Sequence, residues 1–540
     1  MKLIRLHIID ADTCGGLLNG LRVNFRSGCE IDADKFSPLC LVGPNGAGKS
    51  QTLQIIAEIF QALFAHFVPE EEQGMPNQQI QFELEYLIHD LAGAVQSVRA
   101  SRRKEGSKKP KIVLERLISN SWVEETDPKK ASELLPAKVI GYTSGENETL
   151  SIPFFVSRSG YADQVRSSAL DKDKASSAIP DSRMLLIDYG TNLEVLIANL
   201  LLNPPKIRQH LIHEPEFGGV RSFRCIVQLK YGSSASNIVK LTDELKRNIQ
   251  YLKSCTTCYT YDSKDHQYTF DFFVQDATFE AFSNFWTKGA LELYSCFHKL
   301  AMLNDLVIPK KDRDSFKKGV EKRRFASRLP EPMERQKVFR FDRIEFFSSD
   351  NDRYVDYVSL SDGEHQLTQL LGTLCMANFP NVLFLLDEPE SHFNPKWRVE
   401  FISKIMNLPT PNLSGEKGEG TRTERGLVSR QDCLITTHSP FVPSDMDSDD
   451  VLIFSKSVES GDIEVRNPNI QTYGSTFDTI LEECFGISPP MSDIPKNAIE
   501  KLLKSDNAEE IRNAMSRFGD SVERMYLADR IRMLEARREG

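Results

Sequence analysis

The chain has 540 residues, enough for two or three compact modules or for one large core carrying an insertion. Hydrophobic residues make up 40% and charged residues 27%, ordinary values for a soluble globular protein. A formal net charge of −10 excludes a general coat for polyanions, so nucleic-acid contact is expected only at local basic patches.

The N-terminal stretch MKLIRLHIID has no long apolar core and no small-residue cleavage site, so a signal peptide is not expected. No run approaches the roughly 18 to 20 apolar residues needed to cross a bilayer, which predicts a cytoplasmic protein with no membrane partner. The 10 Cys residues are scattered and read as thiols, mostly small core residues. Cys255 and Cys258 form the only CxxC, with no second Cys or His pair to complete a zinc site.

PLCLVGPNGAGKS joins an apolar strand, Leu39–Val42, to a glycine-rich loop and a helix whose Leu53, Ile56, Phe60, Leu63 and Phe64 share a face. IQFELEY alternates apolar and polar residues, predicting a strand of an antiparallel sheet with one wet face. RASRRKEGSKKPK (99–111) then reads as the cationic tip of a hairpin. From about 155 to 335 helical stretches at 238–252 and 279–303 mix with short strands such as YTFDFFV, and a second basic run occupies 309–328. The core pattern resumes at VFRFDRIEFF, a Gly/Ser/charge-rich loop is expected at 409–432, and the tail from about 492 is helical and charged. In that tail Val522, Met525, Tyr526 and Ile531 are expected on one side. There are no internal repeats.

Gly43-Pro44-Asn45-Gly46-Ala47-Gly48-Lys49-Ser50 satisfies GxxxxGK[ST] between strand and helix. Glycines let backbone N–H groups close around phosphate oxygens, Lys49 supplies a point charge and Ser50 can ligate Mg²⁺. The bland alternative is a glycine turn capping a helix. A second apolar strand, NVLFLL, ends in Asp387 and Glu388; unpaired carboxylates beside an apolar strand cost free energy, so they need a task. Asp387 would reach the Mg²⁺ of a nucleotide held by 43–50, and Glu388 would polarise the attacking water. Without the loop, the pair would read as an acidic helix cap.

Leu360-Ser361-Asp362-Gly363-Glu364 reads locally as the N-cap of a helix with Leu367, Leu370, Leu371 and Leu374 on its apolar face. This segment is similar to the LSGGQ or LSGGE signature of ATP-binding-cassette (ABC) ATPases, with Asp362 where that family usually has glycine. GPNGAGKS, LSDGE, LLDEPESHFNP and LITTHSP occur in that family's order, at the two ends of the chain rather than its middle. Within the superfamily the chain resembles the SMC/Rad50/RecF-like and overcoming-lysogenisation-defect (OLD-like) ATPases.

The resemblance implies an α/β fold: an ABC-type ATPase head, a mixed sheet with flanking helices, carrying an inserted α/β or helical domain and a short helical C-terminal tail. The expected divisions are 1–154 with the phosphate loop, 155–335 as the insert, 336–490 with the remaining motifs, and 491–540 as the tail. It implies ATP at Gly43 to Ser50 and Gln51, Mg²⁺ at Ser50 and Asp387, and catalysis by Glu388 with His438 as the switch histidine at the γ-phosphate. Ser361 and Gly363 of one subunit would cap nucleotide held by another, so ATP bridges a homodimer with two composite sites. His392, in the stretch resembling the D-loop, would either cross that interface or cap a helix. The family's Q-loop glutamine is not identifiable among Gln73, Gln78, Gln79 and the polar stretch GYTSGENE (141–148).

A transporter head is too compact for the separation between Ser50 and Ser361, and a Rad50-like tether would need long heptad arms that are missing here. An OLD-like nuclease ATPase would carry separated Glu and Asp-x-Asp elements after His438, and DMDSDD (445–450) reads more simply as a loop. MKLIRLHI, GPNGAGKS, FELEYLI, VIGYTSGENE, LSDGEHQL, LLDEPESHFNP and FGDSVERMYLADR together resemble the ATPase of Septu-type and retron-associated bacterial anti-phage systems. That resemblance implies control of an HNH nuclease partner and, in retron versions, association with a reverse transcriptase and its DNA-RNA product. The competing class is a stand-alone DNA-repair ATPase. The basic segments around Arg102 and Arg323 would bind phosphate backbones in that case, and otherwise read as a solvated charged turn or helix.

Overall fold

The apolar runs at Leu39–Val42, Val382–Asp387 and Asp432–Thr436 are buried along their whole length, the condition of parallel strands covered on both faces. In the computed structural model they form the centre of a seven-stranded sheet. Its order is Ile463–Arg466, Val451–Lys456, Leu39–Val42, Asp432–Thr436, Val382–Asp387, Lys138–Thr143 and Met184–Ile187. Only Ile463–Arg466 runs antiparallel to its neighbour. The register pairs Asp387 with both Thr436 and Thr143, and Thr436 with Leu41. The carboxyl ends of four strands therefore meet at one edge, where open α/β sheets bind ligands. All residues are described except 27–31, 35, 105, 107–109, 145–147, 171–177, 189–190, 212–216, 232–236, 324–331, 349–353, 358–360, 409–429, 458–460 and 540.

The helix after the glycine loop, Lys49–Phe67, is buried at every position from Thr52 to Phe64 rather than along a single face. It lies inside one core cluster with Leu39, Leu383 and Leu434 of the central sheet and Leu6, Phe82 and Tyr86 of a second sheet. Each fully buried Leu, Ile or Phe there contributes roughly 1.5–3 kcal/mol. That second sheet is antiparallel, in the order Arg22–Asn24, Lys2–Asp10, Gln81–His89, Val95–Arg103, Lys111–Ile118 and Ser121–Glu124. Gln81–His89 alternates as its sequence predicts, with Phe82, Leu84 and Tyr86 inside. The expected hairpin forms between Val95–Arg103 and Lys111–Ile118.

A five-stranded sheet, Cys258–Asp262, Gln267–Phe273, Phe217–Gln228, Phe339–Ser348 and Tyr354–Asp356, is flanked by the helices Asp243–Cys255, Asp276–Phe285 and Ala290–Met302. The helical stretch expected at 279–303 is two helices, interrupted where Gly289 adopts φ +89°. The divisions anticipated at 154/155 and 335/336 fall inside continuous structure. Helix Glu148–Leu170 crosses the first, and the pairing of Phe217–Gln228 with Phe339–Ser348 spans the second. Met184–Ile187, assigned to the insert, is the edge strand of the central sheet. A four-residue apolar run does not reveal its partner, because the pairing is set by contacts remote in sequence.

By its internal contacts the chain separates into Met1–Gly474 and Ser475–Gly540, so the tail begins at 475 rather than 491. The second unit has its own small core of Ile499, Ala508, Ile511, Leu527, Ile531 and Leu534. Val522, Met525 and Tyr526 are exposed, whereas Ile531 joins Leu527 and Leu534 inside, contrary to the shared side expected for them. Nine residues separate Val522 from Ile531, which is half a turn out of phase in an α-helix. Among the described residues no helix is long and apolar enough to cross a membrane.

Candidate nucleotide site

Two of the loop glycines are required by close approach. A Cβ on Gly43, at φ +133°, would lie 2.1 Å from the Phe454 carbonyl oxygen, and one on Gly48, at φ +86°, would lie 2.6 Å from Leu18 Cδ2. The strand and the Leu18 segment thus press the loop from below. Pro44, Asn45 and Gly46 are left exposed over buried Ala47 and Gly48. Lys49 is buried, and its Nζ donates to the carbonyls of Gly43 (2.8 Å) and Pro44 (3.1 Å), which puts the ammonium inside the loop's curve. Burial lowers its pKa, against the raising influence of Glu388 and Asp387. Gln51 turns away, donating from Nε2 to the Cys14 carbonyl at 3.2 Å.

Ser50 Oγ donates to Asp387 Oδ1 at 2.8 Å across 337 residues of sequence. Thr436 Oγ1 donates to the same oxygen. Asp387 is 1% exposed, and burial raises its pKa although both hydroxyls favour the ionised form. A hydroxyl and a carboxylate in contact at the foot of a phosphate-type loop are the hard oxygen donors that Mg²⁺ takes alongside water and phosphate. The residues present therefore fit that ion.

Glu388 stands in the left-handed region at φ +48°, uncommon for a residue with a Cβ. Its N–H is directed at the Thr436 carbonyl (3.2 Å) and Thr436 Oγ1 (3.1 Å). Its Oε1 lies 3.3 Å from His438 Nε2, and the two side chains are 43% and 36% exposed, open to whatever sits above the loop. The hydrogen bond with His438 is the main cause of its lowered pKa. The next acid, Glu390, is 3% exposed and accepts from Thr437 Oγ1.

Ser361 is the N-cap of helix Asp362–Met376, in a reciprocal capping box with Glu364. Ser361 and Asp362 are exposed, while Gly363 is buried, a Cβ there lying 3.0 Å from the His392 carbonyl oxygen. The signature-like turn thus rests on the 391–393 segment of its own chain; Leu360 lies outside the described residues. Asn394, not His392, caps the helix Pro395–Met406, accepting from Trp397 N at 2.9 Å.

Gln73, Gln78 and Gln79 are exposed, and Gln73 Nε2 is taken by the Pro69 carbonyl. The stretch 141–148 begins beside Asp387 through Thr143, but 145–147 lie outside the described residues. Arg102 and Arg323 do not offer themselves to phosphate backbones. Arg102 is 3% exposed and donates to the Asn77 carbonyl, and Arg323 forms a buried bidentate pair with Glu58 at 3.0 and 2.8 Å. Part of the two basic runs around them, 105, 107–109 and 324–328, lies outside the described residues. Thr436, Thr437 and Glu390 stand in the motifs quoted from the sequence but have no role there, although one hydroxyl ending a buried strand and a second directly after it are a legible signal.

The fold and this site define an α/β domain with a phosphate-loop-type candidate nucleotide site at the carboxyl edge of its central sheet. The protein-family profile described as "AAA domain, putative AbiEii toxin, Type IV TA system" matches residues 231–445, the stretch holding Ser361, Gly363, Asp387, Glu388 and His438. Among solved structures the chain is similar to one titled "Structure of the recombination mediator protein RecF-ATPrS in RecFOR pathway". The similarity has 10% sequence identity and a TM-score of 0.28, and covers 83% of this chain and 96% of that one.

Proposed function

We propose that this protein is an ABC/SMC-type ATPase that hydrolyses ATP with Mg²⁺ at composite sites of a homodimer and controls a partner nuclease in anti-phage defence. The observation that carries the hydrolytic reading is the convergence of Lys49, Ser50, Asp387, Glu388 and His438 from three distant segments at one sheet edge. Mg²⁺, when bound, supplies charge stabilisation to the phosphates. Lys49 and the loop N–H groups bind and orient the triphosphate, and Ser50 with Asp387 would hold the metal. Ionised Glu388, oriented by His438, takes the proton of the attacking water. Ser361 and Gly363 of a second copy complete the pocket, so loss of the γ-phosphate removes a bridge between subunits.

The defence assignment rests on the motif resemblance across most of the chain. It predicts an HNH nuclease and, in the retron form, a reverse transcriptase with its DNA-RNA product in the same assembly. Glu388→Gln is the test of the hydrolytic core: it should bind ATP with unchanged affinity and hydrolyse it at least about 100-fold more slowly. Normal turnover by that variant removes Glu388 from catalysis. Co-purification from the native host tests the partner, and recovery of the ATPase without a nuclease favours the repair class.

A further inference from the structure

We propose that Glu390 is a positioning residue of the hydrolytic site, holding through Thr437 the turn that aims His438 at Glu388. The inference rests on the hydrolytic reading above and adds a residue to it. Thr437 Oγ1 donates to Glu390 Oε1 and accepts from Ser439 N at 2.9 Å, so one hydroxyl joins the acid to the residue beyond His438. On the other side, the Ser391 N–H donates to the Glu388 carbonyl (3.2 Å) and the Phe393 N–H to the Glu390 carbonyl (3.0 Å). The turn carrying Glu388 and the turn carrying His438 are thereby joined twice, by the Glu390–Thr437 bond and by the Glu388–His438 contact.

The clamp has a cost that packing alone would not sustain. Glu390 is almost completely buried, and its Oε2 has no hydrogen-bond partner among the described residues. An unsatisfied buried oxygen of this kind is destabilising, and an apolar side chain of similar volume would remove the penalty. What an apolar side chain would not do is anchor Thr437. A displacement of about 1 Å in a reacting group suffices to lower a rate about 100-fold, so a single anchoring bond is enough to matter.

The test uses the full chain with initial rates in Mg-ATP, binding of a fluorescent ATP analogue and thermal melting. Glu390→Ala and Thr437→Val should each lower kcat about 10- to 100-fold while leaving nucleotide affinity within about 2-fold. Glu390→Gln and Thr437→Ser keep the hydrogen bond and should stay within about 3-fold of wild type. The double variant Glu390→Ala/Thr437→Val should be no slower than the slower single variant, because both changes break one link. Wild-type rates in Glu390→Ala and Thr437→Val, beside a stalled Glu388→Gln, overturn the proposal and leave the hydrolytic reading standing. Equal damage from Glu390→Gln and Glu390→Ala, or losses that follow folded fraction alone, overturn it as well. Normal turnover in Glu388→Gln overturns the hydrolytic reading, and the proposal with it.

Discussion

Three acids within four positions have three different environments. Asp387 is pushed up by burial, Glu388 is pulled down by its hydrogen bond with His438, and Glu390 is raised to about 7 by burial. Neighbouring carboxyls driven apart in this way can take separate tasks, as acid-base pairs do generally. Glu390 also makes a linkage prediction. Its ordinary value is 4.5, so the folded state binds the proton more tightly than the unfolded chain does. That stabilisation is fully present below about pH 4.5 and is lost as pH rises through about 7. Glu390→Gln has no such proton to lose, so the melting temperature of the variant relative to wild type should climb between pH 5 and pH 8. A difference that stays flat across that range would show that Glu390 does not titrate there.

At the level of elements, helix Lys49–Phe67 is the hub. Its N-terminus carries Lys49 and Ser50, and Glu58, midway along it, grips Arg323 just beyond helix Lys310–Glu321. Arg323 adopts φ +52° to make that reach. Because both charges are out of water, removing one partner strands the other. Arg323→Ala is therefore expected to cost about 3–5 kcal/mol in urea unfolding. The paired replacement Glu58→Leu/Arg323→Leu should recover most of the loss, since an apolar pair has no charge to desolvate. A double variant as unstable as Arg323→Ala would show that Arg323 acts by shape or backbone rather than charge. The basic run that contains it reads from sequence as a solvated patch, because charge run length carries no information about a partner 265 residues away.

For the whole molecule, the proposed engine needs a second copy. Ser361 is exposed at the start of its helix, whereas Gly363 is buried against the His392 carbonyl of its own chain. In the Glu388→Gln background, light scattering with Mg-ATP should give the mass of a dimer. Adding Ser361→Arg should return it to monomer while a fluorescent ATP analogue still binds. A dimer that persists in the Arg variant would place the subunit contact elsewhere. Lys49, Ser50, Asp387, Glu388 and His438 lie within the Met1–Gly474 unit.

The amino-acid sequence by itself determined the phosphate-type loop, the acidic end of Val382–Asp387 and the N-cap at Ser361. These follow from local chemistry: glycines where φ must be positive, apolar runs bounded by polar residues, and a serine three residues before a glutamate. Only the tertiary structure decided that Met184–Ile187 extends the central sheet, that Phe217–Gln228 pairs with Phe339–Ser348, and that Arg323 belongs to Glu58. It also joined Glu390 to Thr437. Each of these depends on which remote segment supplies a hydrogen-bond or charge partner. Backbone periodicity and residue type are nearly silent on that choice, because the free energy that selects the partner appears only when the chain has closed around it.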